Sequence, residues 1–386
     1  MKLFTLLFAL LALALSSCSH DNLPPKNTTA NIKDPEKLDM IYATKDLDGE
    51  GRLYEVNYTV DYKLDDVINA QKTSSEALFA YIAGLLYDKD EAKAPQVDFG
   101  SGCSTFAVPD AERINFLMGR NYDYRHFTED KKNYIPTAAI LVRTAPEGGK
   151  KSISMVDGMH LGLRQGFFTN GQTDLSIMMG LPYAALDGIN EDGFAIGILA
   201  LQEEPTQQNN GFKKISPTVA IRLLLDRVST VKQAIDTLRH YDMNMKGNGR
   251  SNYHFFMADA TGDFAVIEYT FPKNESIPRI MEVFQGNDTL RCLTNFYISP
   301  TMVGTTDGWG SEHGKMRYWT LRNTLLSKNY SLKSNDAMEL LKAVSQPPTM
   351  ELTSQTQWSS LYDLTNKSLR LTILREYARE FNFKVK

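Results

Sequence analysis

Beyond residue 103 the chain sets short apolar runs in pairs and then helical stretches in pairs, an order that few architectures accommodate. Strand-length apolar runs fall at 104–108, 116–120, 138–142, 194–201, 253–258, 264–269 and 369–374. The turn Ala260-Thr261-Gly262-Asp263 joins two of them as a hairpin. Helical periodicity appears at 219–238, 316–326 and 336–344. Such grouping predicts an α+β layered fold with antiparallel sheet, because alternating parallel units would interleave every strand with a helix. With 386 residues, 42% of them hydrophobic, the chain has material for one large domain or two ordinary ones.

The segment before residue 103 divides into three. Lys2 and the apolar run 3–15 have the form of a signal peptide and are too short for a comfortable bilayer span. Leu15-Ser16-Ser17-Cys18 follows and resembles the bacterial lipoprotein signal, which implies removal of 1–17 and acylation of Cys18. Several acyl chains on one residue anchor firmly, at about 0.8 kcal/mol per buried methylene. Residues 18–33 are polar, carry Pro24 and Pro25, and read as a tether. Residues 34–102 hold an alternating run at 54–60, a helical pattern at 75–86 and a glycine-rich break at 98–102.

Charge and motif content exclude several classes of function. Lys and Arg total 42 against 46 Asp and Glu, a net charge of −4 with no basic cluster, so nucleic acid is not the expected partner. The six His show no His-x-x-x-His pair, no Cys-x-x-Cys occurs, and no glycine-rich stretch ends in Gly-Lys-Ser/Thr. Neither a metal nor a cofactor is expected. His160, His254 and His313 are available to a papain-like cysteine site, yet none sits in such a signature.

Of three cysteines, Cys18 is assigned to lipid and Cys292, in Leu290-Arg291-Cys292-Leu293, reads as a buried core thiol. Cys103 is left needing a purpose. It opens a strand after Gly102, and Gly119-Arg120-Asn121-Tyr122-Asp123-Tyr124 would return beside it across a hairpin. A thiol becomes nucleophilic near neutrality beside a cation and a base. Arg120 supplies the first, while Asp123 can hold an ammonium or imidazolium. An ordinary ion pair next to a core cysteine fits these residues too.

The chain resembles the N-terminal-nucleophile cysteine hydrolases: bile salt hydrolases, penicillin V acylases and acid ceramidase relatives. Matching motifs run in order: Cys103 with Arg120 and Asp123, then Asp187-Gly188-Ile189-Asn190-Glu191-Asp192-Gly193-Phe194. Asn252 to Asp259 with Gly262 and Glu268 follows, then Leu293-Thr294-Asn295, and Arg317 in Lys315-Met316-Arg317-Tyr318. The resemblance implies a four-layer αββα fold over 103–386, with 34–102 as a propiece or small subunit. It implies Cys103 as nucleophile, its freed α-amine as general base, Asp123 as acceptor from that amine and Arg120 as the charge beside the thiol. Asn295 would donate to the oxyanion and Arg317 would support the cluster.

Two departures matter. Bile salt hydrolases place an oxyanion-binding Asn where this chain has Ala200. Their Cys also lies near the start of the chain, whereas here residues 19–102 separate Cys18 from Cys103. The latter arrangement resembles acid ceramidase and the fungal penicillin acyltransferase, which implies cleavage between Gly102 and Cys103. The expected reaction is hydrolysis of a linear amide in an N-acylated small molecule, such as a bile-acid conjugate, a fatty-acid amide or an acyl β-lactam. Acyl transfer on the same scaffold, or ligand binding by a catalytically dead surface lipoprotein, are the alternatives. The expected location is the bacterial cell envelope, and homo-oligomerisation stays open.

Overall fold

The computed structural model describes residues 24–87, 102–128, 130–201, 205–247, 252–270, 280–302, 311–350 and 354–386. The signal segment, Cys18 and the break at 98–101 lie outside the described residues. In chain order the strands are β1 (Lys45–Asp46), β2 (Leu53–Tyr58), β3 (Gly102–Pro109), β4 (Phe116–Asp123), β5 (His126–Phe127), β6 (Tyr134–Ile135), β7 (Ala139–Thr144), β8 (Ser152–Asp157) and β9 (Ala185–Asn190). They continue as β10 (Ala195–Leu201), β11 (Lys213–Ile215), β12 (Tyr241–Met243), β13 (Asn252–Ala258), β14 (Phe264–Thr270), β15 (Ile280–Gln285), β16 (Cys292–Leu293), β17 (Thr356–Asp363), β18 (Ser368–Ile373) and β19 (Phe381–Lys384). The α-helices are α1 (Pro35–Tyr42), α2 (Leu64–Ala70), α3 (Ser75–Leu86), α4 (Pro217–Arg227), α5 (Val231–Leu238), α6 (Ser311–Ser327) and α7 (Ser334–Ala343).

Two sheets dominate. The larger runs β1-β2-β7-β8-β9-β10-β13-β14-β15 and the smaller β16-β3-β4-β17-β18-β19. They meet through β3 and β10, with α4 against β9 and β10, and with α6 and α7 against β16, β3, β4 and β17. The result is the expected α+β fold in four layers, αββα. Pairing within the two large sheets is antiparallel except where β2 lies parallel to β7. Residues 34–87 are thus woven into the larger sheet through β1 and β2. Every residue of β3, β9, β10, β13 and β14 is buried, because each of these strands has layers on both faces.

The periodicity at 219–238 belongs to two helices, not one. Ser216 caps α4 by accepting from Val219 N, with Pro217 in the first turn. Val228 then turns extended (φ −114, ψ 153), and Thr230 caps α5 by accepting from Gln233 N. Asn190 donates from Nδ2 to the carbonyls of Leu225 and Val228, satisfying groups that α4 leaves open at its end. Val231, Ala234, Ile235 and Leu238 give α5 a buried stripe at helical spacing.

Candidate active site

Cys103 stands second on β3 and is fully buried. The β3–β4 ladder sets Gly102 opposite Asp123, Cys103 opposite Tyr122 and Thr105 opposite Arg120. Side chains alternate across a sheet, so Cys103, Tyr122 and Arg120 share the face toward the larger sheet. Asp123 and Asn121 take the opposite face, where Asn121 Nδ2 reaches the Leu341 carbonyl of α7.

On the inner face Arg120 places Nη2 3.6 Å from Cys103 Sγ and donates from Nη2 to the Ile198 carbonyl at 2.7 Å. Its Nη1 donates to Asp187, the first residue of the Asp-Gly-Ile-Asn motif. Asp187 also accepts from Trp358 Nε1 at 3.1 Å and from the Tyr362 hydroxyl. Gly197 gives the guanidinium its path, since a Cβ there would lie 2.7 Å from Arg120 Cδ. The rest of the 187–194 motif builds the β9–β10 turn: Asn190 Oδ1 accepts from the amides of Asp192 and Phe194, and Gly193 takes φ +83.

On the outer side the backbone of Cys103 is clasped at both ends. Its N–H donates to Asn295 Oδ1 at 2.6 Å, and its carbonyl accepts from Arg317 Nη1 at 2.6 Å. Arg317 links the group, donating to Asn295 Oδ1 at 3.0 Å and to Asp123 Oδ2 at 3.3 Å. Thr356 Oγ1 donates to the other Asp123 oxygen at 2.5 Å. A register shift between Thr356 and Trp358 on β17 turns Thr356 to this face, since a regular strand would leave it beside Trp358. Burial pushes the Asp123 carboxyl up to about 6, with Arg317 and the Thr356 hydrogen bond pulling the other way.

Cys103, Arg120, Asp123, Asn295 and Arg317 thus lie together, and Gly102 lies extended at the start of β3. The Cys103 N–H, whose nitrogen the resemblance assigns to Asp123, donates instead to Asn295 Oδ1, while Asp123 accepts from Arg317 and Thr356. The Asn295 amide, expected to face an oxyanion, donates from Nδ2 to the Ala200 carbonyl at 2.8 Å. Ala200 thus meets the site through its backbone. The loop carrying Asn295 is pinned by a buried pair. His254 engages the Thr294 carbonyl through Nε2 (2.9 Å) and Glu268 through Nδ1 (3.1 Å), while Glu268 accepts from the amides of Ile298 and Ser299, each at 2.9 Å. His254 serves the loop, and the side chain of His313 lies outside the described residues. Cys292 is a buried free thiol on β16, pushed up to about 12 by burial, which fits its reading as a core residue.

Sequence reasoning missed Thr356, Trp358 and Tyr362, all on β17, and the tie from Asp187 to Arg120. A signal was present in the period-two spacing of Trp358 and Tyr362, which puts both on the face of a strand that Arg120 shares.

Residues 110–375 match the family model described as acyl-coenzyme A:6-aminopenicillanic acid acyl-transferase. Similar solved structures include a mutant of the conjugated bile acid hydrolase from Clostridium perfringens, 14% identical with a TM-score of 0.47, over 73% of this chain and 92% of that one. Another is penicillin V acylase from Agrobacterium tumefaciens, 16% identical with a TM-score of 0.46, over 70% of this chain and 83% of that one. No curated protein matches the chain.

Proposed function

Since the chain belongs to the acyl-coenzyme A:6-aminopenicillanic acid acyl-transferase family, we propose that it is a cysteine N-terminal-nucleophile enzyme that hydrolyses linear amides of N-acylated small molecules. One observation carries this reading. The backbone N–H and C=O of Cys103 are held by Asn295 and Arg317, while the charge of Arg120 stands 3.6 Å from its sulfur. A merely structural cysteine needs neither. The guanidinium favours thiolate over thiol.

In the active form the α-amine of Cys103 takes the proton of the thiol. Sulfur bonds to the substrate carbonyl carbon, and the Asn295 amide supports the resulting oxyanion. Collapse breaks the C–N bond, the amine leaves with the proton held by the α-amine, and a thioester remains. Water then adds to the thioester and releases the acid and the thiol. An amine in place of water gives acyl transfer.

The substrate is an amide with an apolar acyl part: a bile-acid conjugate, a fatty-acid amide or an acyl β-lactam. Anchoring through Cys18 places the enzyme on the bacterial envelope, and Cys18→Ser should move it from the membrane to the soluble fraction.

Incubation with a thiol-directed acylating probe tests the nucleophile. Wild-type protein should gain one acyl mass on Cys103 and hydrolyse N-acyl amides, and Cys103→Ala should do neither with its circular dichroism unchanged. Turnover by that variant overturns the reading.

A further inference from the structure

A second cluster of chemically active side chains lies behind Tyr122, the residue opposite Cys103 on β4. His126 from β5, Asp157 at the end of β8 and His160 from the 3-10 turn Gly158–Leu161 bring one ligand atom each within 4.8 Å of one another. His126 Nε2 lies 2.7 Å from Asp157 Oδ2, and His160 Nε2 lies 3.9 Å from the same oxygen. The Tyr122 hydroxyl completes a fourth corner, 3.0 Å from Asp157 Oδ2 and 2.9 Å from His160 Nε2. From this geometry we infer that the cluster binds a first-row divalent cation such as Zn2+.

Three lines of physical chemistry support the inference. A point equidistant from the three ligand atoms, at these separations, lies about 2.4 Å or less from each, which sub-ångström movement converts to the 2.0–2.2 Å of zinc–nitrogen and zinc–oxygen bonds. Two imidazoles with one carboxylate form a borderline donor set that suits zinc or iron better than calcium or magnesium.

The carboxylate is also braced from behind. Asp157 Oδ1 accepts from the Thr137 hydroxyl and, at 3.1 Å, from Met159 N, which leaves Oδ2 aimed at the two imidazoles. Outer partners of this kind orient the ligands in metal sites. Asp157 and His160 are buried, while the His126 side chain keeps 11% of its surface open and so offers an entry path.

Spacing along the chain hides this site, because His126 and Asp157 come together only when the β4–β5 end folds over the end of β8. A bound ion would clamp Tyr122, on the smaller sheet, to Asp157, on the larger. Its place is structural, behind the nucleophile and apart from the Asn295–Arg317 clasp.

The test uses chelator-stripped protein carrying Cys103→Ala, so that the active-site thiol cannot serve as a ligand, titrated with Zn2+ alone and with Co2+ alone. The expected result is saturable binding of about one Zn2+ per chain, a rise in Tm, and visible d–d bands with Co2+. His126→Ala removes the most exposed ligand and should weaken Zn2+ binding by about tenfold or more, with circular dichroism unchanged. Absence of saturable binding in the parent overturns the inference. So does His126→Ala binding as tightly as the parent.

Discussion

Asp187 on the larger sheet grips Nη1 of Arg120 on the smaller one, and that grip turns Nη2 toward the sulfur of Cys103. The tie crosses the interface between the two layers, where both side chains are fully buried. Removing the carboxylate charge leaves a guanidinium uncompensated in the interior, a loss of about 3–5 kcal/mol in buried pairs of this kind. Asp187→Asn should therefore lower stability by that order in urea unfolding. The guanidinium left without its anion, still held by the Ile198 carbonyl, should also favour the Cys103 thiolate more strongly, lowering the thiol pKa and shifting the acid limb of kcat/KM to lower pH. An unshifted limb in a destabilised variant would limit Asp187 to a packing role.

The Asp123 carboxyl gives a separate pH signature. Its folded-state pKa is raised from 3.8 to about 6, so the native state binds more protons than the unfolded state between those values. Stability from this group is thus greatest below the ordinary carboxylate range and is lost as pH rises through about 6. The full swing is about 3 kcal/mol, at 1.36 kcal/mol per pKa unit. Urea unfolding of wild type and Asp123→Asn at pH 4.5 and 7.5 checks it. The variant should show a flatter pH dependence over that interval, and parallel curves would refute the assignment.

The pair Glu268 and His254 should act on catalysis through Asn295. The two Glu268 oxygens accept from Ile298 N, Ser299 N and His254, fixing the loop that follows Asn295. Hydrogen bonds to a charged group contribute about 1.5–3 kcal/mol each. Glu268→Gln keeps the shape and one acceptor, so part of the loop's restraint goes while the chain still folds. We expect kcat to fall about tenfold or more with KM nearly unchanged, since Asn295 is asked to act on the transition state. A change confined to KM would place the loop in substrate binding instead.

The hairpin that carries Cys103, Arg120 and Asp123 was legible because its residues are neighbours in sequence and alternate with the pleat. The hairpin at 253–269 was legible for the same local reason, whereas the turn at 187–194 was read only through the family resemblance, with no apolar run marking β9. Strand β17 was not legible. Ser359, Ser360 and Gln357 dilute its apolar alternation, and Thr356 pairs with Asp123 from 233 residues away. No local pattern encodes so distant a partner, and the register shift that turns Thr356 outward is a property of the paired strands. The break in the helical run at 228–230 shows the reverse case. Apolar periodicity carried on through Val228 and Val231, but Thr230 captured the next amides and began a new helix.

Cleavage before Cys103 would supply the base that the proposed mechanism requires. In the uncut chain the Cys103 nitrogen is an amide, and its N–H is already given to Asn295 Oδ1 at 2.6 Å. An amide nitrogen does not accept a proton at neutral pH, whereas a freed α-amine, with a pKa near about 8, is partly neutral there. Sulfur attack on the Gly102 carbonyl would break the Gly102–Cys103 C–N bond, pass the acyl group to sulfur and leave the amine. Water then opens the thioester. The hydrogen bond to Asn295 survives that change, because an amine donates to the same oxygen, so the clasp that holds the precursor also holds the product. Signal-free recombinant protein should accordingly run as two fragments, the larger beginning at Cys103 by N-terminal sequencing. Cys103→Ala, handled in parallel, should remain one chain. Cleavage of that variant at the same bond would assign the cut to an external protease acting on the preceding segment. The amide-hydrolase reading would then stand without self-processing, because in the proposed mechanism a free amine at Cys103 acts as the base however it is released.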